Sequence, residues 1–526
     1  MHKLHNLAIS TVIVSMLNLL GKALGMIKTL VIAWTFGASG LVDAFMVAYV
    51  LPTVLPTVLK GMITTAFIPR FMRSLSNTDK PDAWRGANTL FTVCVALFFT
   101  GSVVLAIFAE QLVSVVAPGL PVETHRLAAT LTQLMAAGAL FLGINAILSA
   151  IAYARQHFVY ASLESAVTNS IVIIACLAFG SRYGIAAVAV GVVVGFIAQT
   201  ILLCIANWTV IRRAMRPAFA FGHDDFRAPI RHMVPLAIGA VGSVATVFVD
   251  QAFASHLDAG SIAILGYATM LALIPMEIFG QAIRTTFYPI LSRNYADGSL
   301  DELRRNHIRG LRLYLIVMAP SMAILIGFAE PAVTVLFERG SFAQESTHQM
   351  ALVIIALSVG LLSGAVSWFN FGVFHALVQP WIPVTLGLLG VVLNITLTWV
   401  LVRPFGVFGI ALATSITLII TSIVTIVLLT LRLKTNIVSA LVEPSIKVAI
   451  MTAVMLVFAI LSGKLAVTVF EVDDRFWTSI CQLFGIIPGA VAFIIVGAML
   501  RLTEIRSALI MLDEKLSRRW NRLFRG

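Results

Sequence analysis

Charge is scarce in this sequence. Asp, Glu, Lys and Arg supply only 11% of its 526 residues, against 59% hydrophobic residues and a mean hydropathy of +0.98. Water is therefore not its main solvent, and a soluble globular domain is excluded. Cysteine is scarce as well. Cys94, Cys176, Cys204 and Cys481 stand singly in apolar runs, without the paired spacing of a metal or redox motif, and read as small packing residues. Nor is there a glycine-rich nucleotide loop, a zinc-ligand spacing or a nucleophile elbow, so nothing supports an ATP-driven machine or a hydrolase.

What the sequence has instead is long apolar runs along its whole length, each able to cross a hydrocarbon layer roughly 30 Å thick as a helix. A barrel would show short alternating segments, whereas continuous runs close their backbone hydrogen bonds internally. The pattern predicts an all-α integral membrane fold of about fourteen transmembrane helices. They fall at 7–36, 41–68, 88–108, 127–152, 160–180, 184–207, 233–255, 260–288, 313–335, 348–375, 381–402, 407–431, 447–463 and 477–500. The first run is too long, and too interrupted by Lys22 and Lys28, to be a signal peptide. The formal net charge of +12 is no sign of nucleic acid, because the basic residues alternate between loops. One set of loops holds Arg70, Arg73, Lys80, Arg85, Arg155, Arg212, Arg213, Arg216, Arg227, Arg231, Arg293, Arg304, Arg305, Arg309, Arg312, Arg432, Lys434 and Lys447. The other offers only Arg126, Arg182, Arg339, Arg403, Lys464 and Arg475. The positive-inside rule places the first set and both termini in the cytoplasm.

An internal repeat sets the organisation. Thr65, Phe67, Pro69 and Arg73 at the end of the second helix recur as Thr285, Phe287, Pro289 and Arg293 at the end of the eighth. An even number of intervening helices gives both halves one orientation, as in parallel repeats. This predicts two six-helix lobes, residues 1–220 and 221–436, around a central cavity, with an additional helix pair at 437–500 and a basic amphipathic cytoplasmic tail at 501–526. In that tail Ile505, Leu509, Leu512, Leu516, Trp520 and Leu523 form one apolar face, with Arg506, Lys515, Arg518, Arg519, Arg522 and Arg525 around it. Such a helix suits an anionic leaflet, and a plain topological anchor is the simpler reading.

Ionisable residues at membrane depth are the site candidates, since each costs about 2.5–3.5 kcal/mol on insertion scales unless it meets water or a partner. Lys22 and Lys28 lie about 9 Å apart along the first helix. Gly21 and Gly25 allow a bend or close packing beside them, which places both ammonium groups in a wet cavity, with outward snorkelling of Lys28 as the other reading. Asp43 opens the second helix, as an N-terminal cap or a substrate contact. Asp250 sits in an apolar stretch of the seventh helix, suited to a cation site, to pairing with Lys22 or Lys28, or to a structural ion pair. Glu277, Gln281 and Arg284 fall at i, i+4 and i+7, one face of the eighth helix looking into the cavity, although Arg284 is near enough to the cytoplasmic end to snorkel. Lys60, Glu164, Asn145, Asn169, Asn370, His375 and Asn394 are weaker candidates, because single polar residues more often tie helices together.

Several segments together resemble the MurJ/MviN family, the lipid II flippases of the multidrug/oligosaccharidyl-lipid/polysaccharide exporter superfamily. They are Phe36-Gly37-Ala38, Val42-Asp43-Ala44-Phe45, Leu51-Pro52, Gly61 through Ala66-Phe67-Ile68-Pro69, Ala117-Pro118-Gly119, and Val335-Leu336-Phe337-Glu338-Arg339-Gly340-Ser341-Phe342. The resemblance implies a V-shaped, fourteen-helix transporter of the bacterial inner membrane that moves an undecaprenyl-pyrophosphate-linked glycan, the muropeptide of lipid II, outward for peptidoglycan synthesis. The last two helices are then a groove for the lipid tail, and basic residues of the first helix meet the pyrophosphate. It implies no enzyme activity and no cofactor, with membrane lipids and proteins of cell-wall or polysaccharide synthesis as partners. Energy comes from a monovalent cation or the membrane potential, worth about 2.3 kcal/mol per charge per 100 mV. Lys22 and Lys28 stand where the family usually has arginines, keeping the charge without the bidentate fork. Pro56 replaces a usual arginine, and Thr269, Met270 and Leu273 replace usual charges. Because 270, 277 and 284 lie seven apart, Glu277 and Arg284 fall on the same helical face as those lost charges, displaced inward by roughly 10 Å per two turns, and are positioned to compensate. The same departures fit a carrier of exopolysaccharide or O-antigen units. A drug or cation antiporter and a transport-inactive scaffold on the same fold complete the readings.

Overall fold

The computed structural model describes residues 2–63, 81–155, 157–213, 215–222, 242, 244–502 and 504–505. Every regular element among them is helical. The first repeat segment, Thr65 to Arg73, and the tail beyond residue 505 lie outside the described residues.

The chain divides into two compact units, the first comprising residues 1–267, 339–343 and 387–391 and the second the remainder. Unit one holds α1 (His2–Phe36), α2 (Gly40–Met62), α3 (Pro81–Ile107), the short α4 (Ala109–Val116), α5 (Val122–Ala154), α6 (Phe158–Tyr183), α7 (Ile185–Arg213) and α8 (Val244–Ala254). α1 packs on α6 and α6 on α7, while α5 lies against α2, α3 and α7. Small residues permit these approaches, because van der Waals packing replaces the hydrophobic drive between helices in lipid. At Gly143 of α5 an added Cβ would stand 2.0 Å from the Phe98 ring of α3, so only glycine lets the buried ring sit there.

α9 (Ser261–Ala272) straddles the division of the chain, starting in unit one. Unit two continues with α10 (Gln281–Ala296), α11 (Leu300–Gly327), the short α12 (Ala329–Leu336), α13 (Gln344–Val359), α14 (Leu361–Ala376), most of α15 (Trp381–Leu433), α16 (Ile437–Val469), α17 (Arg475–Phe484) and α18 (Ile486–Met499). Phe287, Leu311, Tyr314, Met318, Phe369 and Phe374 form the centre of its core. α16 packs on α11 and α18, and α17 lies along α12.

Ten described spans, α17 and α18 together making one of them, are long and apolar enough to cross a membrane, or twelve if each of two bent pairs is one span. The bends interrupt helices that the sequence pattern predicts as continuous. One is a 46° break between α9 and the following helix, at Pro275 and a π-turn over Met276–Gly280. The other is a 43° break at Gly360, which lacks the side chain that would collide with Ser415. α15, at 53 residues, would measure roughly 80 Å if straight, far more than a bilayer. It turns back on itself at Gly406 (φ 54°, ψ −133°), and Asn394 Nδ2 donates to Thr414 Oγ1 at 3.2 Å across the two arms. Those arms match the separate spans expected at 381–402 and 407–431.

The two short helices extend the internal repeat. Phe108-Ala109-Glu110 at α4 recurs as Phe328-Ala329-Glu330 at α12, with Val113 and Val115 matched by Val333 and Val335. The interval is the one that separates Thr65 from Thr285 and Pro69 from Pro289.

Candidate functional site

The α1 lysines differ in setting. Lys28 is half-buried, with its ammonium 5.6 Å from the centre of the Tyr49 ring on α2, a cation–π contact. Lys22 is exposed. Six residues turn a helix by about 600°, so the two side chains leave α1 roughly 120° apart rather than as one clamp. Gly21 and Gly25 serve the close packing expected of them: Asn169 of α6 donates to the Gly21 carbonyl at 3.1 Å, and a Cβ on Gly25 would lie 3.2 Å from Asn169 Nδ2.

Asp43 is buried, and its carboxylate caps a helix other than its own. Oδ2 accepts from the Gly260 amide at 2.6 Å and Oδ1 from the Ala263 amide at 2.8 Å, at the N-terminus of α9. A carboxylate there satisfies orphan amides and complements the helix dipole. Beside it Ser341 donates its amide to the Trp34 carbonyl at 2.9 Å and its hydroxyl to the Thr35 carbonyl at 2.9 Å. Tyr267 donates to the Gly37 carbonyl at 3.3 Å and packs on Phe342. Gly37 and Gly340 have φ of 67° and 60°. The motif segments around Gly37, Asp43 and Gly340 therefore converge on one backbone junction at the end of α1.

Asp250 lies on α8 with Oδ1 sealed from solvent and, among the described residues, without a hydrogen-bond partner, and the neighbouring Gln251 Oε1 is in the same state. Lys28 meets Tyr49 rather than this carboxylate.

In unit two the π-turn over Met276–Gly280 changes the register on which Glu277, Gln281 and Arg284 share a face. An i+5 hydrogen bond inserts a residue into the helical count, so a sevenfold spacing across it no longer returns to the same side. The alignment of Glu277 and Arg284 with Met270 is lost for the same reason. Glu277 and Gln281 are exposed, while half-buried Arg284 stacks over Trp368 of α14 at 4.3 Å. The Tyr314 hydroxyl donates to the Gly280 carbonyl at 2.7 Å and fixes the turn's end.

The weaker candidates mostly tie helices together. Buried Glu164 accepts from the Ser149 hydroxyl and, at 2.9 Å, from Gln199 Nε2, joining α5, α6 and α7. Asn145 donates to the Phe196 carbonyl at 3.2 Å and accepts from Thr200 at 2.8 Å. Asn370 lies 2.9 Å from His307 Nε2 and donates to Thr425 at 3.1 Å. His375 is half-buried in the last turn of α14, and the Lys60 side chain lies outside the described residues. The aromatic partners Tyr49 and Trp368 have no signal in the sequence. Nor has the cluster in which Arg475 meets Glu330 at 3.1 Å and Glu338 at 3.4 Å.

The family model described as lipid II flippase MurJ matches residues 32–481. The chain belongs to the MurJ family. Among relatives called probable lipid II flippase MurJ, the protein of Buchnera aphidicola subsp. Acyrthosiphon pisum is 26% identical over 417 residues, covering 78% of this chain and 81% of the relative. The Synechocystis protein is 27% identical over 414 residues, covering 76% and 77%. A solved lipid II flippase MurJ in an inward closed conformation superposes with a TM-score of 0.78 at 21% identity, over 93% of this chain and 98% of that one. An inward-facing multidrug resistance MATE family transporter of the MOP superfamily gives 0.65 at 13% identity, over 80% and 98%. As a MurJ family member the chain is a multi-pass protein of the bacterial inner membrane and a transporter rather than an enzyme.

Proposed function

We propose that this chain is a flippase carrying a polyprenyl-pyrophosphate-linked sugar precursor, lipid II in the first instance, from the cytoplasmic to the outer leaflet by alternating access. The observation that carries the reading is the family match over residues 32–481. The relatives' names support lipid II as the substrate, and the inward states of the MurJ and MATE neighbours support alternating access. Lys22 and Lys28 are the anion contacts. Both lysines lie in the apolar span Ile13–Phe36, where ionisable residues are rare and mark substrate or ion paths. Asp43 holds the junction at the end of α1, Arg284 and Glu277 contribute from unit two, and Asp250 is the ion-coupling carboxylate. Both termini are cytoplasmic, by the loop charges.

A second substrate reading, an exopolysaccharide or O-antigen precursor, is favoured by Pro56, Thr269, Met270 and Leu273 at positions where the family usually carries charge. Expression in cells depleted of their own lipid II flippase separates the two. Restored growth and shape support lipid II, whereas failed rescue with loss of a surface polysaccharide on deletion of the native gene supports the second. Altered drug tolerance alone would point to an antiporter.

A further inference from the structure

The internal repeat presents one surface twice, partly covered in one copy and open in the other. In unit two α17 lies along α12, and Arg475 at its start bonds Glu330. α16 approaches as well, with Leu456 3.4 Å from where a Cβ on Gly327 would stand. Under this partial cover Phe328 is 4% exposed, Thr334 is buried and Val335 half-buried, while Gly327 and Glu330 stay exposed. The matching residues of unit one have no such cover. Phe108 is 48% exposed, Val115 77%, and Ile107, the counterpart of Gly327, 65%. Glu110, the counterpart of Glu330, is exposed, and among the described residues its carboxylate has neither an ion pair nor a hydrogen bond.

We propose that the face formed by Ile107, Phe108, Glu110 and Val115 receives a transmembrane helix of a partner membrane protein, one that carries a basic residue at its outer end and apolar residues below it. Apolar exposure alone is what a lipid-facing surface shows. The repeat adds what covers the equivalent face, and Glu110 adds a carboxylate at the repeat position to which the bound helix of unit two brings its arginine. A guanidinium at that level gains a charge-assisted hydrogen bond beside low-dielectric hydrocarbon. The inference rests on the repeat and stands apart from the choice of substrate.

The full chain in nanodiscs tests it. Val115→Cys, in a background with the four native cysteines replaced, carries bimane, a fluorophore that tryptophan quenches on contact. The probe is a synthetic peptide of residues 471–500, which contains Arg475 and Trp477. Quenching is expected to saturate with the ratio of peptide to lipid. Glu110→Gln, or Arg475→Gln in the peptide, should weaken it on the order of threefold or more, as loss of one interfacial ion pair does. Glu110→Arg should recover binding of an Arg475→Glu peptide. Quenching that rises linearly without saturation and ignores Glu110 would overturn the proposal and leave lipid as the cover. So would peptide-free quenching of labelled protein by tryptophan-bearing copies of itself, which would make the face a self-association surface.

Discussion

Lys22 and Lys28 show how far a residue's place in sequence determines its work. Their depth in an apolar span and the roughly 120° between them follow from the sequence and the helical period, but the Tyr49 ring beside Lys28 depends on how α1 meets α2. If they hold an anionic headgroup, replacing both by glutamine should abolish flipping at unchanged protein level, and arginine at both should retain it at least partly. Rescue of flippase-depleted cells, with protein quantified in the membrane, is the measurement. Wild-type rescue by the double glutamine variant would remove the lysines from the site. Asp43 teaches the complementary lesson. An aspartate near a helix start suggested a cap, but its amide partners lie more than two hundred residues away and no local pattern could name them. Asp43→Ala should cost about 1–3 kcal/mol for each amide left buried and unpaired, with Asp43→Asn costing less because one acceptor remains. Thermal unfolding of the purified protein would register both.

At the scale of elements, long apolar runs foretold the helices because lipid permits little else. Their interruptions were hidden. The π-turn at Met276–Gly280 adds one residue to an otherwise helical count, which leaves hydrophobicity unchanged while rotating everything beyond it. The reading of Glu277 and Arg284 as one face failed there. The repeat was only partly visible for a related reason: α4 and α12 are eight residues long, too short to register as spans, though they carry its clearest match. Helix contacts also depend on positions that composition treats as neutral. Gly143→Ala should destabilise by about 1–3 kcal/mol through collision with Phe98, and Phe98→Leu in the same chain should recover part of the loss. Gly101→Ala, which meets no atom within 4 Å, is the control and should not destabilise. Equal melting temperatures for the two alanine variants would show that α3 and α5 are not held by this contact.

The whole molecule was the most legible level, since fold class and membrane residence follow from composition and hydropathy, and family membership from ordered motifs. Loop charge adds an orientation that labelling can check. Arg305→Cys should resist an impermeant thiol reagent in intact cells and react after permeabilisation, whereas Arg182→Cys should react in both. The native thiols are buried or half-buried, which keeps the background low. Reaction of the 305 thiol from outside would invert the topology. The junction at the end of α1 carries a consequence for synthesis on the ribosome. Unit one includes residues 339–343 and 387–391, so the first helices to enter the membrane wait for partners made much later. Until Ser341 emerges, the Trp34 and Thr35 carbonyls lack its donors. A nascent chain stalled before residue 339 therefore holds an N-terminal half whose junction at the end of α1 is unfinished.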